Sequence, residues 1–152
     1  MLKRILKNQK GITLVELLAV IVILGIIALI AVPAIANVIE DSRYDSVKST
    51  AINVIEAGEL YATTNDVDSV SLSDLEADGY IDLSGYGYGN DDEVVVSASN
   101  STIDATIDNE GDVSVSFNNA TVQDINSTDA SALRNGNVSA IGSGADTSGS
   151  SN

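Results

Sequence analysis

One carboxylate stands where carboxylates are rare. Glu16 directly precedes 23 residues, 17–39, that carry no charge: LLAVIVILGIIALIAVPAIANVI. A hydrocarbon core is crossed by about 20 apolar helical residues, so this run is long enough to span a membrane. An acid at the edge of such a helix is costly to desolvate and asks for a cationic partner. The head of the chain offers acids of another kind, in the groups Asp66/Asp68, Asp91/Asp92/Glu93 and Asp108/Glu110/Asp112. Oxygen ligands of this type suit calcium, but none of the groups has the full EF-hand spacing. They are read as a solvated acidic surface, with Asp91, Asp92 and Glu93 the first place to look for a metal. No cofactor is expected otherwise. Cysteine and histidine are both absent, which removes disulfides, thiol nucleophiles, Cys/His metal sites and imidazole acid–base chemistry. No Ser/Asp/Lys arrangement suggests catalysis, and no Gly-rich loop follows a strand as a phosphate cradle requires. The chain is read as a non-enzyme.

The elements that position Glu16 follow from charge and periodicity. Lys3, Arg4, Lys7 and Lys10 crowd the first ten residues, while Arg43, Lys48 and Arg134 are the remaining basic residues. After residue 11 these three face all 22 acids, a side-chain charge of −19. The basic cluster before the apolar run places the N-terminus in the cytoplasm and the chain beyond about residue 40 outside. Such an acidic chain repels phosphate backbones, and aromatic residues are only 4% of it, so direct nucleic-acid binding is disfavoured.

Beyond the apolar run, Val47, Ala51, Val54, Ile55, Gly58 and Tyr61 keep helical spacing. Asp45, Lys48, Ser49, Asn53, Glu56 and Glu59 fill the other side. Residues 12–62 are therefore predicted as one helix of about 75 Å, membrane-spanning over about 17–39 and amphipathic beyond. Pro33 is expected to kink it rather than end it, because helical pattern resumes afterwards.

A head over 63–134 follows. Residues 71–82 predict a short helix capped by Ser71 or Ser73 and stopped by Gly79. Residues 85–92, GYGYGNDD, read as a loop. Residues 93–99, 102–108 and 112–118 read as strands of an antiparallel meander, with Gly111 at a positive-φ turn position and a fourth strand around 120–125. Residues 135–152 are Gly-, Ser-, Asn- and Ala-rich and are expected to be disordered. A head this small without cysteines needs another apolar surface to close its core, and the amphipathic half of the helix supplies it. The fold class is α+β: a long helix packed on a small antiparallel sheet.

The segment KGITLVELLAVIVILGIIALIAVPAI, residues 10–35, resembles the N-terminal signature of bacterial type IV prepilins and type II secretion pseudopilins. In that family a short basic leader ends in glycine, followed by a hydrophobic residue, Thr-Leu-hydrophobic-Glu and a long apolar run. Ile12 stands where phenylalanine is usual. The resemblance implies a pilin-like fold and cleavage after Gly11 by a membrane-embedded prepilin peptidase. It also implies methylation of the new amine on Ile12. An ATPase-driven assembly platform would then extract subunits from the cytoplasmic membrane lipids into a homo-oligomeric surface filament. It further implies that Glu16 pairs with a neighbour's N-terminal amine. In an apolar core such a pair enforces register, because an unpaired charge there is costly. Pro33 stands where such pilins commonly have a helix-kinking proline, and Gly25 where helices loosen in filaments.

The expected role is a structural pilus subunit. A pseudopilin of a secretion or competence (DNA-uptake) system is the alternative. The secretion-type major pseudopilin usually carries an Asp-Pro-Trp-Gly stretch, and this chain has no Trp and only Pro33. Residues 72–82 are similar to a segment of Gram-positive pilins and competence pseudopilins. A third reading is a membrane-anchored binding module that never polymerises. An ordinary signal peptide with its cut after Ala36 fits poorly, since the apolar stretch exceeds the usual 7–15 residues.

Overall fold

The computed structural model describes residues 13–88, 95–97, 99–109 and 112–143. Two compact units divide the chain, 1–38 and 39–152, and the first helix contributes to both.

Helix α1 runs over Leu14–Asn65 without interruption at Pro33. A proline removes one intrahelical N–H, and here helix persists on both sides of that loss. In the first unit the helix is all that is described. From Leu14 to Ile39 seventeen large apolar side chains are exposed, among them Leu29 at 77% and Ile30 at 70%. It is the one described helix long and apolar enough to cross a membrane.

In the second unit the same helix becomes one-sided. Val47, Ala51, Val54, Ile55 and Gly58 are buried, as their spacing predicts, while Asp45, Ser49, Asn53, Glu56 and Glu59 stay exposed. Strand β1 (Ser69–Ser71) and helix α2 (Leu72–Ala77) follow. Ser71 caps α2, its Oγ accepting the Asp74 N–H at 3.1 Å. Gly79, at φ +75°, ends it, with the Tyr80 N–H returning to the Leu75 carbonyl at 2.9 Å. That is the glycine stop expected of a left-handed C-terminal cap. Strand β2 (Gly87–Tyr88) lies where the sequence reads as loop; β3 (Val95–Ser97), β4 (Thr102–Asp108) and β5 (Ser114–Thr121) form the meander.

The sheet order is β1-β3-β4-β5-β6, with β2 also paired to β4. β3 takes residues 102–104 of β4, and β2 takes 107–108, along one edge. β4 and β5 are antiparallel with a bulge: Ile103 faces Ala120, yet Ala105 faces Phe117. Two steps on β4 thus match three on β5. The extra residue is accommodated at Asn119, whose φ is +47° and whose N–H donates to Asp104 Oδ1 at 2.8 Å. A bulge of this kind leaves one residue outside the ladder and increases local twist.

Two expectations for the C-terminal part are corrected. No fourth antiparallel strand forms around 120–125. Helix α3 (Val122–Ser127) begins there, because Thr121 and Asp124 close a reciprocal capping box. The Asp124 N–H donates to Thr121 Oγ1 at 3.1 Å, and the Thr121 N–H donates to Asp124 Oδ2 at 3.0 Å. Nor is the chain disordered from residue 135. After α4 (Ala130–Arg134), β6 (Ala140–Gly142) pairs in parallel with β5. Ile141 is fully buried, which gives that glycine-rich segment an apolar anchor. Parallel pairing requires a crossover, and α3 and α4 provide it. Residues 89–94, 110–111 and 144–152, including the Gly111 turn position, lie outside the described residues.

The core joins Val47, Val54 and Ile55 of α1 to Leu72 and Leu75 of α2 and to Val96, Ile103, Ile107, Val115, Phe117 and Ile141 of the sheet. Full burial contributes about 1.5–3 kcal/mol for each such side chain. The architecture is α+β, a long N-terminal helix packed against a small mixed sheet.

Candidate functional site: the N-terminal turn and apolar span

Thr13 occupies the N-cap position directly before α1. Its carbonyl accepts the Leu17 N–H at 3.1 Å, the first bond of the helix. Its Oγ1 accepts the Glu16 N–H at 3.2 Å, while Glu16 Oε2 accepts the Thr13 N–H at 2.7 Å. A helix start leaves four N–H groups without intrahelical partners, and this reciprocal pair satisfies two of them. The sequence reading singled out Glu16 for its charge and missed this capping role. The signal was present as Thr-x-x-Glu before an apolar run.

Gly11 and Ile12, expected to flank a cleavage point, lie outside the described residues. Gly25 and Pro33 both lie within α1. A Cβ at Gly25 would meet nothing within 4 Å, so packing inside this chain does not require a glycine there. Glu16, Gly25 and Pro33 thus share one helix, with Thr13 at its N-cap, and its apolar surface is uncovered along residues 14–39.

The head holds its polar groups in structural service. Arg134 Nε donates to Asp41 Oδ1 at 2.7 Å, and Arg43 pairs with Asp112 at 3.3 Å. Lys48 Nζ donates to the Thr128 carbonyl at 2.6 Å and to Asp45 Oδ1 at 3.3 Å. All three basic residues beyond the N-terminal cluster are therefore engaged within the head. An open cleft of about 410 Å³ is lined by Asp41, Asp45, Lys48 and residues 126–130. Asp129 there caps α4 through the Ser131 N–H at 2.7 Å. Hydrogen bonds from Ser131 hold the Asp129 carboxyl below the ordinary aspartate range, with the charge of Lys48 adding to the effect. Asp124 is lowered in the same way by the backbone and hydroxyl of Thr121. Tyr88 donates to Glu76 Oε2 at 2.7 Å, and this acceptor raises the phenol above its usual value.

The candidate calcium group Asp91, Asp92 and Glu93 lies outside the described residues. Among the described residues no group of three or more Asp or Glu is arranged to hold a metal ion. Asp66 and Asp68 are exposed at the end of α1, and Asp112 faces Arg43.

A family model described as the prokaryotic N-terminal methylation motif matches residues 6–32. No curated protein and no solved structure matches the chain.

Proposed function

We propose that this chain, which carries the type IV prepilin/pseudopilin signature over residues 6–32, is the structural subunit of a type IV pilus. The observation that carries the reading is the coincidence of that motif with a helix start at Leu14 and an uncovered apolar helix behind it. The basic leader stays on the cytoplasmic side. Prepilin peptidase cuts after Gly11 and methylates Ile12. The apolar span first rests in the inner-membrane lipid. It then passes into a filament core, where helices of other copies cover it. Lipid and filament core are both apolar, so the transfer is driven by helix packing rather than by escape from water. Glu16 pairs with the Ile12 amine of a neighbour and sets the register, and Gly25 and Pro33 let the helix adapt to its new surroundings. No step asks the chain to catalyse a reaction.

The test has two parts. Mass spectrometry of the native N-terminal peptide is expected to find methylated Ile12, and sheared surface fractions are expected to hold filaments of this chain. Glu16→Ala is expected to leave cleavage in place and remove the filaments. An intact Met1 start, or the absence of filaments from the unaltered chain, would overturn the reading in favour of a simple membrane anchor, while filaments indifferent to Glu16→Ala would overturn the pairing role of Glu16.

A further inference from the structure

The basic side chains of the head are all engaged within one copy. Arg134 Nε meets Asp41 at 2.7 Å, and Arg43 meets Asp112 at 3.3 Å. Lys48 Nζ donates to the Thr128 carbonyl at 2.6 Å and to Asp45 at 3.3 Å. Between Lys48 and Arg134 the chain has 17 acids and no base. Glu56, Glu59, Asp66 and Asp68 of that stretch are exposed, and none of their carboxylates bonds another of the described residues.

Two such heads therefore offer acids to acids, with no unengaged base in either. Like charges brought together across an interface oppose association. The reach of that repulsion depends on salt, because the screening length is about 30 Å at about 0.01 M, about 8 Å at about 0.15 M and about 3 Å at about 1 M. The pairs inside one head respond differently. The Lys48 and Arg134 side chains are only 13% and 19% exposed, and partly buried pairs are screened much less than exposed charges. High salt thus weakens repulsion between copies more than it loosens the ties within one.

We propose that packing of these heads is switched by ionic strength: dissolved monovalent cations screen the acids of neighbouring copies, so the filament holds at high salt and comes apart at low salt. The inference rests on the filament reading above and adds the solution condition under which that filament persists. Screening acts over the whole acidic surface and requires no bound ion.

The experiment takes filaments sheared from cells into about 1 M NaCl and dialyses them to about 0.15 M and about 0.01 M. Pelletable protein is expected to fall at least about tenfold at the lowest salt. The combined variant Glu56→Gln, Glu59→Gln, Asp66→Asn and Asp68→Asn removes four charges in place and is expected to move the loss to lower salt. Thermal unfolding of the full-length chain in detergent is followed at the same salts, and the head is expected to stay folded at each. Filaments unchanged at the lowest salt, or a variant that behaves as the unaltered chain, would overturn the proposal. A head that unfolds at the lowest salt would overturn it too, because loss of filaments would then report the fold. So would filaments held by MgCl2 at an ionic strength where NaCl releases them, which would point to bound divalent ions. Absence of filaments at every salt would overturn the filament reading and this inference together.

Discussion

The two halves of α1 obey the same backbone rules and meet opposite fates. Over residues 14–39 apolar side chains surround the helix, and they are uncovered. Over residues 47–62 apolar side chains form one stripe, and that stripe is buried against the sheet. A helix apolar on all sides finds no single face to bury within one small domain. It needs a surround that is apolar in every direction, which means lipid or other copies of itself. A helix with one stripe is satisfied by one partner, and here the head is that partner. The contrast assigns the stability of the head to one half and leaves the other to an apolar surround.

The largest expected effect comes from placing a charge in the uncovered half. Ile30→Asp is expected to abolish stable membrane residence and filaments, given a cost of about 2.5–3.5 kcal/mol for a central aspartate. Thermal unfolding of the head, followed in detergent-solubilised full-length chain, should be unchanged. A lowered unfolding temperature would break the separation of roles. The reverse experiment is Phe117→Ala, which empties a fully buried position of β5. It is expected to destabilise the head by about 3–5 kcal/mol in denaturant titration while membrane insertion persists.

Gly58→Ala probes how closely the buried stripe approaches the sheet. A Cβ at Gly58 would collide with the Val96 side chain. Overpacking should cost about 1–3 kcal/mol in the same titration. Gly25→Ala, on the uncovered half, meets nothing within 4 Å and should leave the head's unfolding curve in place.

The smallest effect is set by pH. The Asp124 carboxyl is lowered by its bonds to Thr121. A depressed folded-state value stabilises the charged form. That contribution is fully present well above the ordinary value of 3.8 and is lost as pH falls below it through the depressed value. Thr121→Ala should therefore cost about 1 kcal/mol near neutral pH. The difference from the unaltered chain should shrink in acid below about pH 3.8. A difference constant over pH 3–7 would mean that the Thr121 cap acts without the Asp124 charge.

Local signals in the sequence were strong where the structure is local. The burial of Val47, Ala51, Val54, Ile55 and Gly58 follows from spacing alone, because a helix converts periodicity directly into a face. Ser71 and Gly79 bound α2 as cap and stop because both act within a few residues. The strand over 102–108 was legible from its β-branched pattern. Elsewhere a local pattern was misread or carried too little information. Residues 120–125 are β-branched enough to suggest a further strand, yet β5 ends at Thr121 and the Thr121–Asp124 box starts a helix at Val122. Ala140–Gly142 has one large apolar residue in a glycine- and serine-rich context, so composition suggested disorder. Its place was fixed by β5, whose edge it completes, and by the core that receives Ile141. The close fit at Gly142 shows how specific that docking is: its φ is +113°, and a Cβ there would collide with the Asn118 carbonyl.

By itself the sequence determined that this chain has a basic stretch in its first eleven residues, an apolar span with one acid at its edge and an amphipathic continuation. These properties depend on charge, hydropathy and helical period, which are written in consecutive residues. Only the tertiary structure decided that β6 pairs in parallel with β5, and that Arg134 reaches Asp41 across 93 positions. Both join residues far apart in the chain, whose meeting depends on the closing of the whole core.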